Sequence, residues 1–530
     1  MLSEKNTNDI YIFNLKISYQ YVFVFLMLIG IFARVYMLGK VPGGLHQDEA
    51  FAGYEAYSLL NYGIDSSGYR FPVYLNTWGS GMNALNTYLM IPFMAIFGAN
   101  EWVVRLPQVI VSICSLIVLY KLLQKMLGTK IGLLGLLFLS ICPWHIMLTR
   151  WGLEASLTPG FLLFGLYFFL LGMDKAPYFL LSALCYGLSL YCYATIWPLV
   201  PVMILLQTLY AIYTKKLHWN KYITLSILIL FVLAIPLLLF LMINFGLINE
   251  IKTDFISIPK LTMMRSGDIS LTGISENFRH LVEILIRQND ETYYNTTKEF
   301  GLFYKGMLIF GAVGLVVTIK KTVSDIKKRK FDGMTLCLIQ LVCSVLLGCT
   351  IKTNFNRINC ILMPITIFII VGLAYILGLL KNKIKCIVLV AVTILFISFI
   401  AFECFYFTTY KENVAAKFND GLGESVEYAL ELASDNNEII YVEPSFYHSK
   451  ILFYSKMPTD RYVETVQYRN YPDAYLKTKS FGEFVFDNSE PYEGKIYIIN
   501  NEQTEKYQNA GFEIKRFGTT AVVYKSHKYK

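Results

Sequence analysis

The chain has 530 residues and a formal net charge of +9, with 55% of its residues hydrophobic and only 16% charged. Soluble chains carry roughly 25% charged residues, so a soluble multidomain protein is excluded. The long apolar runs also lack the alternation of a membrane barrel, which leaves a mainly α polytopic membrane protein.

In chain order, residues 1–17 read as a cytoplasmic N-terminus and the run 18–38 as the first span. At ~1.5 Å per residue that run crosses a hydrocarbon core of roughly 30 Å. It has no small-residue cleavage pattern and is read as a retained helix. Further spans are expected at 103–123, 129–147, 157–173, 177–195, 198–213, 222–243, 302–319, 335–350, 358–380 and 386–407, about eleven in all. The segment 83–98 is apolar but short, with Pro92 inside and Asn83, Asn86 and Thr87 at its start, so it is expected to be re-entrant or interfacial. In 51–62, Phe51, Tyr54, Ser58 and Leu59 share a helical face, which again suggests an interfacial helix.

The transmembrane domain thus covers 18–407, with outer loops at 39–102 and 244–301, the second carrying a short helix near 277–287. Residues 408–530 change character. A helical stretch at 425–433 precedes alternating segments at 438–443, 495–500 and 520–525, the pattern of a small α/β domain. Basic residues at 121–130, 175, 215–221, 320–330 and 381–385 fall on one side if the N-terminus is cytoplasmic, so the C-terminal domain is expected outside the cell. Such clusters set orientation, and nucleic acid is not an expected partner. The ten cysteines lie in or beside apolar runs without zinc-ligand spacing.

Two features carry chemistry. The first is Gly43-Gly44-Leu45-His46-Gln47-Asp48-Glu49, just beyond the first span. Adjacent carboxylates there either face water, with Asp48 as a helix N-cap, or have an assigned partner. The second is a set of cations at expected outer span ends, Arg150, Lys352 and Arg357, which defy the charge asymmetry. Arginine suits a phosphate because its planar fork gives two charge-assisted hydrogen bonds, although outer cations also snorkel to headgroups. His46 and His145 with Asp48 or Glu154 are compatible with a divalent ion, but two histidines on separate segments are no metal signature, and no metal or cofactor is called for. Trp78, Trp102, Trp144, Trp151 and Trp197 are read mainly as interfacial belt residues.

An Asp48-Glu49 pair directly after span one, followed by interfacial segments and Glu101-Trp-Val-Val-Arg-Leu-Pro107, resembles the membrane glycosyltransferases of the C-type fold. Within them it is similar to the family of protein O-mannosyltransferases and lipid A aminoarabinose transferases. Pro143-Trp-His-Ile-Met-Leu-Thr-Arg-Trp-Gly-Leu-Glu154 and Asn354-Phe-Asn-Arg-Ile-Asn359 carry the same resemblance, which covers about residues 18–407. It implies an inverting transferase that moves a hexosyl or pentosyl group from a polyprenyl-phosphate sugar to an acceptor outside the membrane: a protein, a cell-wall polymer or a glycolipid. Asp48 matches the base that takes the acceptor proton. Glu49 matches the second acid and assists it, holds an acceptor, or pairs with a cation. Arg150, Lys352 and Arg357 are then the donor-phosphate ligands. Relatives resembling the aminoarabinose transferases carry a Lys-Pro-Pro stretch where this chain reads Asn76-Thr-Trp-Gly-Ser-Gly-Met-Asn83, which moves the phosphate task toward Lys352 and Arg357. The competing reading is a polytopic transporter or flippase, which would place ionisable groups in mid-membrane and show repeated halves.

Overall fold

The computed structural model describes residues 9–12, 15–264, 273–379, 384–434, 438–487 and 495–525, with side chains described outside 9–17 and 384–389. Lys381, Lys383 and the side chain of Lys385, part of the basic series, lie outside what is described, as do residues 1–8.

Among the described residues, eight helices are long and apolar enough to cross a membrane: Glu101–Leu127, Glu154–Gly172, Ala194–Tyr213, Lys221–Asn244, Met307–Lys327, Gly333–Thr350, Asn359–Leu379 and Val390–Phe418. Thr129–Ile141 and Pro143–Thr149 form a pair bent by 56° that makes a ninth if it is one span. The eleven-span layout further requires the shorter helices Tyr19–Val35 and Tyr178–Ser189 to cross. Leu85–Phe97 has 13 residues, about 20 Å of helix and too short for the hydrocarbon core. At one end of the bundle, Lys125 and Lys216 meet on Asp174, so three of the expected basic connections cluster there.

The bundle packs closely where side chains are smallest. A Cβ on Gly314 would lie 2.0 Å from the Phe368 carbonyl, and one on Gly372 would lie 1.9 Å from that of Phe310. This glycine pair lets two spans touch backbone to backbone, the usual means of helix association in lipid.

The last span does not stop near residue 407. It continues through a π-helical turn at Tyr406–Tyr410 into Lys411–Phe418 and ends at Asn419 in the left-handed conformation, with φ 59°. The chain then builds a seven-stranded mixed sheet. Its order is Glu513–Phe517, Thr520–Tyr524, Ile496–Asn500, Ile440–Val442, Phe484–Phe486, Thr478–Phe481 and Gln467–Tyr468. Ile440–Val442 at its centre is parallel to both neighbours.

This domain is not an appendage. Leu45, Phe51, Tyr54 and Val104 share one apolar core with Val426, Ile440, Phe453 and Val522. The helix Gln47–Tyr62 is therefore buried nearly all round, between the helix His448–Ser455 and Leu85–Phe97, and does not float at a lipid interface as its sequence suggests. Its one-sided pattern is weak because both flanks are covered by protein.

Candidate active site

The segment 36–49 links the first helix to Gln47–Tyr62 and carries the Asp-Glu pair. The helix start is capped by His46 and not by Asp48, the N-cap in one of the two sequence readings: His46 Nδ1 accepts from the Asp48 N–H at 3.3 Å while Glu49 accepts from the His46 N–H at 2.8 Å. An acid at the third helical position is what closes such a box. It places Asp48 in the first turn with its side chain 26% exposed and Oδ2 3.5 Å from His46 Nδ1.

Glu49 turns the other way and is wholly buried. Arg105, four residues into the Glu101–Leu127 helix, donates Nε to Oε1 at 2.8 Å and Nη2 to Oε2 at 3.2 Å. The N–H of Gly152 adds a bond of 2.5 Å to Oε1. Burial alone would raise the Glu49 carboxyl, but Arg105 and the Gly152 and His46 amides outweigh it and hold the group below its ordinary value. Of the readings open for Glu49, pairing with a cation is the one the structure displays. Arg105 was not singled out from the sequence, although an arginine inside an apolar run signals a buried counter-charge.

The same guanidinium donates to the carbonyls of Leu38, Pro42 and Gly44 at 3.0, 2.7 and 2.6 Å. Arg150 works on the other half of the segment. Fully buried, it donates to the carbonyls of Ala33, Tyr36, Met37 and Val41 and lies over the Tyr406 and Phe407 rings at 5.3 and 5.0 Å. This departs from the expected phosphate contact: Arg150 closes the carbonyl end of the first helix, where unpaired C=O groups attract a cation. Gly44 completes the turn at φ 76°, and a Cβ there would lie 2.4 Å from the Phe418 carbonyl.

Around Asp48 stands an aromatic wall. The His46 ring meets Trp151 and Tyr294 edge-on at 5.4 and 5.3 Å, and Trp151 packs on Tyr294 at 4.3 Å. Tyr293 and Tyr294 come from the 244–301 loop, which thereby contributes to the site. Burial and then the charge of Asp48 push the Tyr294 hydroxyl up, with Tyr193 a further influence. Trp144 and Trp151, expected in the lipid belt, are 1% and 2% exposed because the 56° bend folds them inward.

The C-terminal domain contributes a cation that no sequence signal announced. Lys450 on His448–Ser455 is 2% exposed and donates to Asn419 Oδ1. Its neighbour Ser449 donates to the Gln47 carbonyl at 3.0 Å, seating this helix on the turn that carries Asp48. Burial brings the Lys450 amine down to about 7 against the opposing pull of Glu49 and Asp48.

Beside this cluster a cavity of about 620 Å³ opens between the helices Leu199–Tyr213 and Lys221–Asn244. Leu237, Phe240, Leu241 and Trp197 are among its apolar lining residues, and Asn83, Glu154, Tyr193 and Arg357 among its polar ones. Arg357 is half-buried there, with Nη1 3.3 Å from the Lys352 carbonyl. Asp290 anchors the segment by accepting the Phe355 N–H at 2.7 Å. Lys352 is exposed and is not among the cavity's lining residues, and neither is Arg150. The sequence-selected cations therefore do not converge. His145 Nδ1 faces Arg34 Nη2 at 2.6 Å, not His46, and no group of three or more metal-ligating side chains occurs among the described residues.

Residues 85–240 match the family model of dolichyl-phosphate-mannose-protein mannosyltransferases. No curated protein matches the chain. Among solved structures, apo ArnT from Cupriavidus metallidurans aligns at 12% identity over 95% of this chain and 97% of its own, with a TM-score of 0.56. The same protein bound to undecaprenyl phosphate aligns at 12% identity over 96% and 98%, with a TM-score of 0.54. The oligosaccharyltransferase of Archaeoglobus fulgidus aligns at 14% identity over 82% of this chain and 61% of its own, with a TM-score of 0.53. The chain is a multi-span membrane protein with the C-type glycosyltransferase fold, and its residues 85–240 carry the pattern of the dolichyl-phosphate-mannose-protein mannosyltransferases.

Proposed function

We propose that this protein moves a sugar from a polyprenyl-phosphate carrier to an acceptor hydroxyl at the outer membrane face. The observation that carries this reading is the pairing of a partly exposed carboxylate, Asp48, with a large, mainly apolar cavity whose lining includes Arg357. A polyprenyl chain needs an apolar wall open toward lipid, and its phosphate needs a cation at the end of that wall. The similar ArnT structure holds undecaprenyl phosphate. Tyr294, which feels both Asp48 and the cavity residue Tyr193, links the two halves of the site.

In this reading the acceptor oxygen attacks the anomeric carbon as Asp48 takes its proton. The glycosidic bond forms, the carbon–phosphate oxygen bond breaks, and the polyprenyl phosphate departs with its electrons toward Arg357. A single displacement inverts the anomeric centre. Glu49 holds Arg105 and the backbone in place and Arg150 shapes the loop, which leaves Arg357, with Lys352 nearby, as the phosphate ligand. No metal is needed for these steps, and the transferred group is a hexose or a pentose.

Asp48→Asn keeps the side-chain size and removes the base. Transfer by purified protein is expected to fall ~10²- to 10⁴-fold with carrier-lipid binding retained. Parental turnover by this variant would end the assignment. The outward orientation rests on the alternation of basic connections. Cysteines introduced at Ser66 and Ser434 should both react with an impermeant reagent in intact cells, and protection of either reverses that part of the layout.

A further inference from the structure

Asn83 is 1% exposed, and among the described residues neither its Oδ1 nor its Nδ2 has a hydrogen-bond partner. Buried polar atoms without partners are rare and call for an explanation such as an absent ligand or water. Asn83 is a lining residue of the cavity that Glu154 and Arg357 also line. Since both ends of the amide are open, the conclusion does not depend on which atom is oxygen and which nitrogen.

The position is also fixed. Asn83 pairs with Tyr74 in a two-stranded ladder. Three residues on, Asn86 donates to the Gly152 carbonyl at 2.8 Å and accepts from Gln108 at 2.6 Å. Gly152 is the residue whose N–H binds Glu49, so a short chain of bonds ties the Asn83 backbone to the Asp48 turn.

We infer that Asn83 reads two adjacent hydroxyl groups of the donor sugar. The inference rests on the polyprenyl-phosphate donor reading. A phosphate oxygen only accepts, so it would satisfy Nδ2 and leave Oδ1 bare. A vicinal diol both donates and accepts and completes the two ends together. The polar lining of the cavity then divides its work, with Arg357 on the phosphate and Asn83 on the sugar.

The test uses full-length protein and four probes: undecaprenyl phosphate and its mannosyl, glucosyl and galactosyl esters, each titrated for its Kd. Parental protein should bind at least one glycosyl lipid about tenfold more tightly than the bare lipid, the scale of two neutral hydrogen bonds. Asn83→Leu should abolish that advantage while bare-lipid affinity stays within about twofold. Asn83→Asp keeps the shape but loses the N–H donor, and it should also cut the advantage; it decides the matter if the leucine variant does not fold. An undiminished advantage in the variants, or equal loss for bare and glycosyl lipids, overturns the sugar-reading role, as does parental protein that prefers no glycosyl lipid. Parental protein that binds no probe at all removes the donor reading with it.

Discussion

Around the segment 36–49, Arg105 donates to three backbone carbonyls and Arg150 to four, and Glu49 is saturated by Arg105 and two amides. The cavity wall differs: among the described residues neither polar atom of the buried Asn83 has a hydrogen-bond partner, and Arg357 is half-buried among the lining residues. The first region spends its charge on its own backbone, which makes it a rigid mount for Asp48. The second lines an open cavity, which suits a ligand. Burial and cationic charge are common to both, so neither identifies a binding residue; what separates them is whether the side chain lines a cavity.

The contrast breaks if the clamp proves dispensable. Arg105→Gln leaves Glu49 charged, buried and without its cation, a change expected to cost about 3–5 kcal/mol of stability. Thermal unfolding in detergent measures it, and Glu49→Gln in the same chain should restore part of the loss by removing the orphaned charge. An Arg105→Gln protein as stable as the parent would show that the pair does not hold the turn.

Arg150 and Arg357 sharpen it. Arg150→Gln should lower stability by about 1.5–3 kcal/mol, the worth of hydrogen bonds from a charged donor. Arg357→Gln should leave unfolding near the parental temperature and instead weaken undecaprenyl phosphate binding about 10- to 100-fold. An exchange of these outcomes would return Arg150 to the phosphate and make Arg357 structural.

Lys450 gives the smallest expected effect and reports on the C-terminal domain. At acid pH its amine is protonated, since burial lowers it only to about 7, so it stands as a cation near Asp48 over the range where that carboxyl titrates. Its loss should let Asp48 take up a proton at higher pH. Lys450→Met is therefore expected to move the acid limb of the kcat/KM profile upward by about one unit, with little change at alkaline pH. A uniform loss at every pH would mean that Lys450 only supports packing.

Much of the architecture was legible beforehand. The apolar runs, the short 83–98 helix, the helix near 277–287 and three of the seven strands of the C-terminal sheet emerge from local composition and period. So does the position of Asp48 just past the first helix. Arg150 and Arg357 illustrate the limit. Each lies at the end of an apolar run, and nothing in its flanking residues says that one meets helix carbonyls and the other a cavity. Lys450 had no local signal at all, because its setting is made by Asn419 and by the packing of its helix on residues some 400 positions earlier.

The sequence by itself determined the solvent of this protein, the rough limits of most of its apolar helices, and the presence of an acid pair just past the first of them. Those properties sum over neighbouring residues, so hydropathy and periodicity reveal them. Tertiary structure alone decided which charge is matched and which polar group is left bare. Glu49 finds Arg105 at a separation of 56 residues, and Asn83 finds no partner among the described residues. In a low-dielectric interior the role of a polar group is set by the few atoms within about 3 Å of it, and folding chooses those atoms from distant parts of the chain.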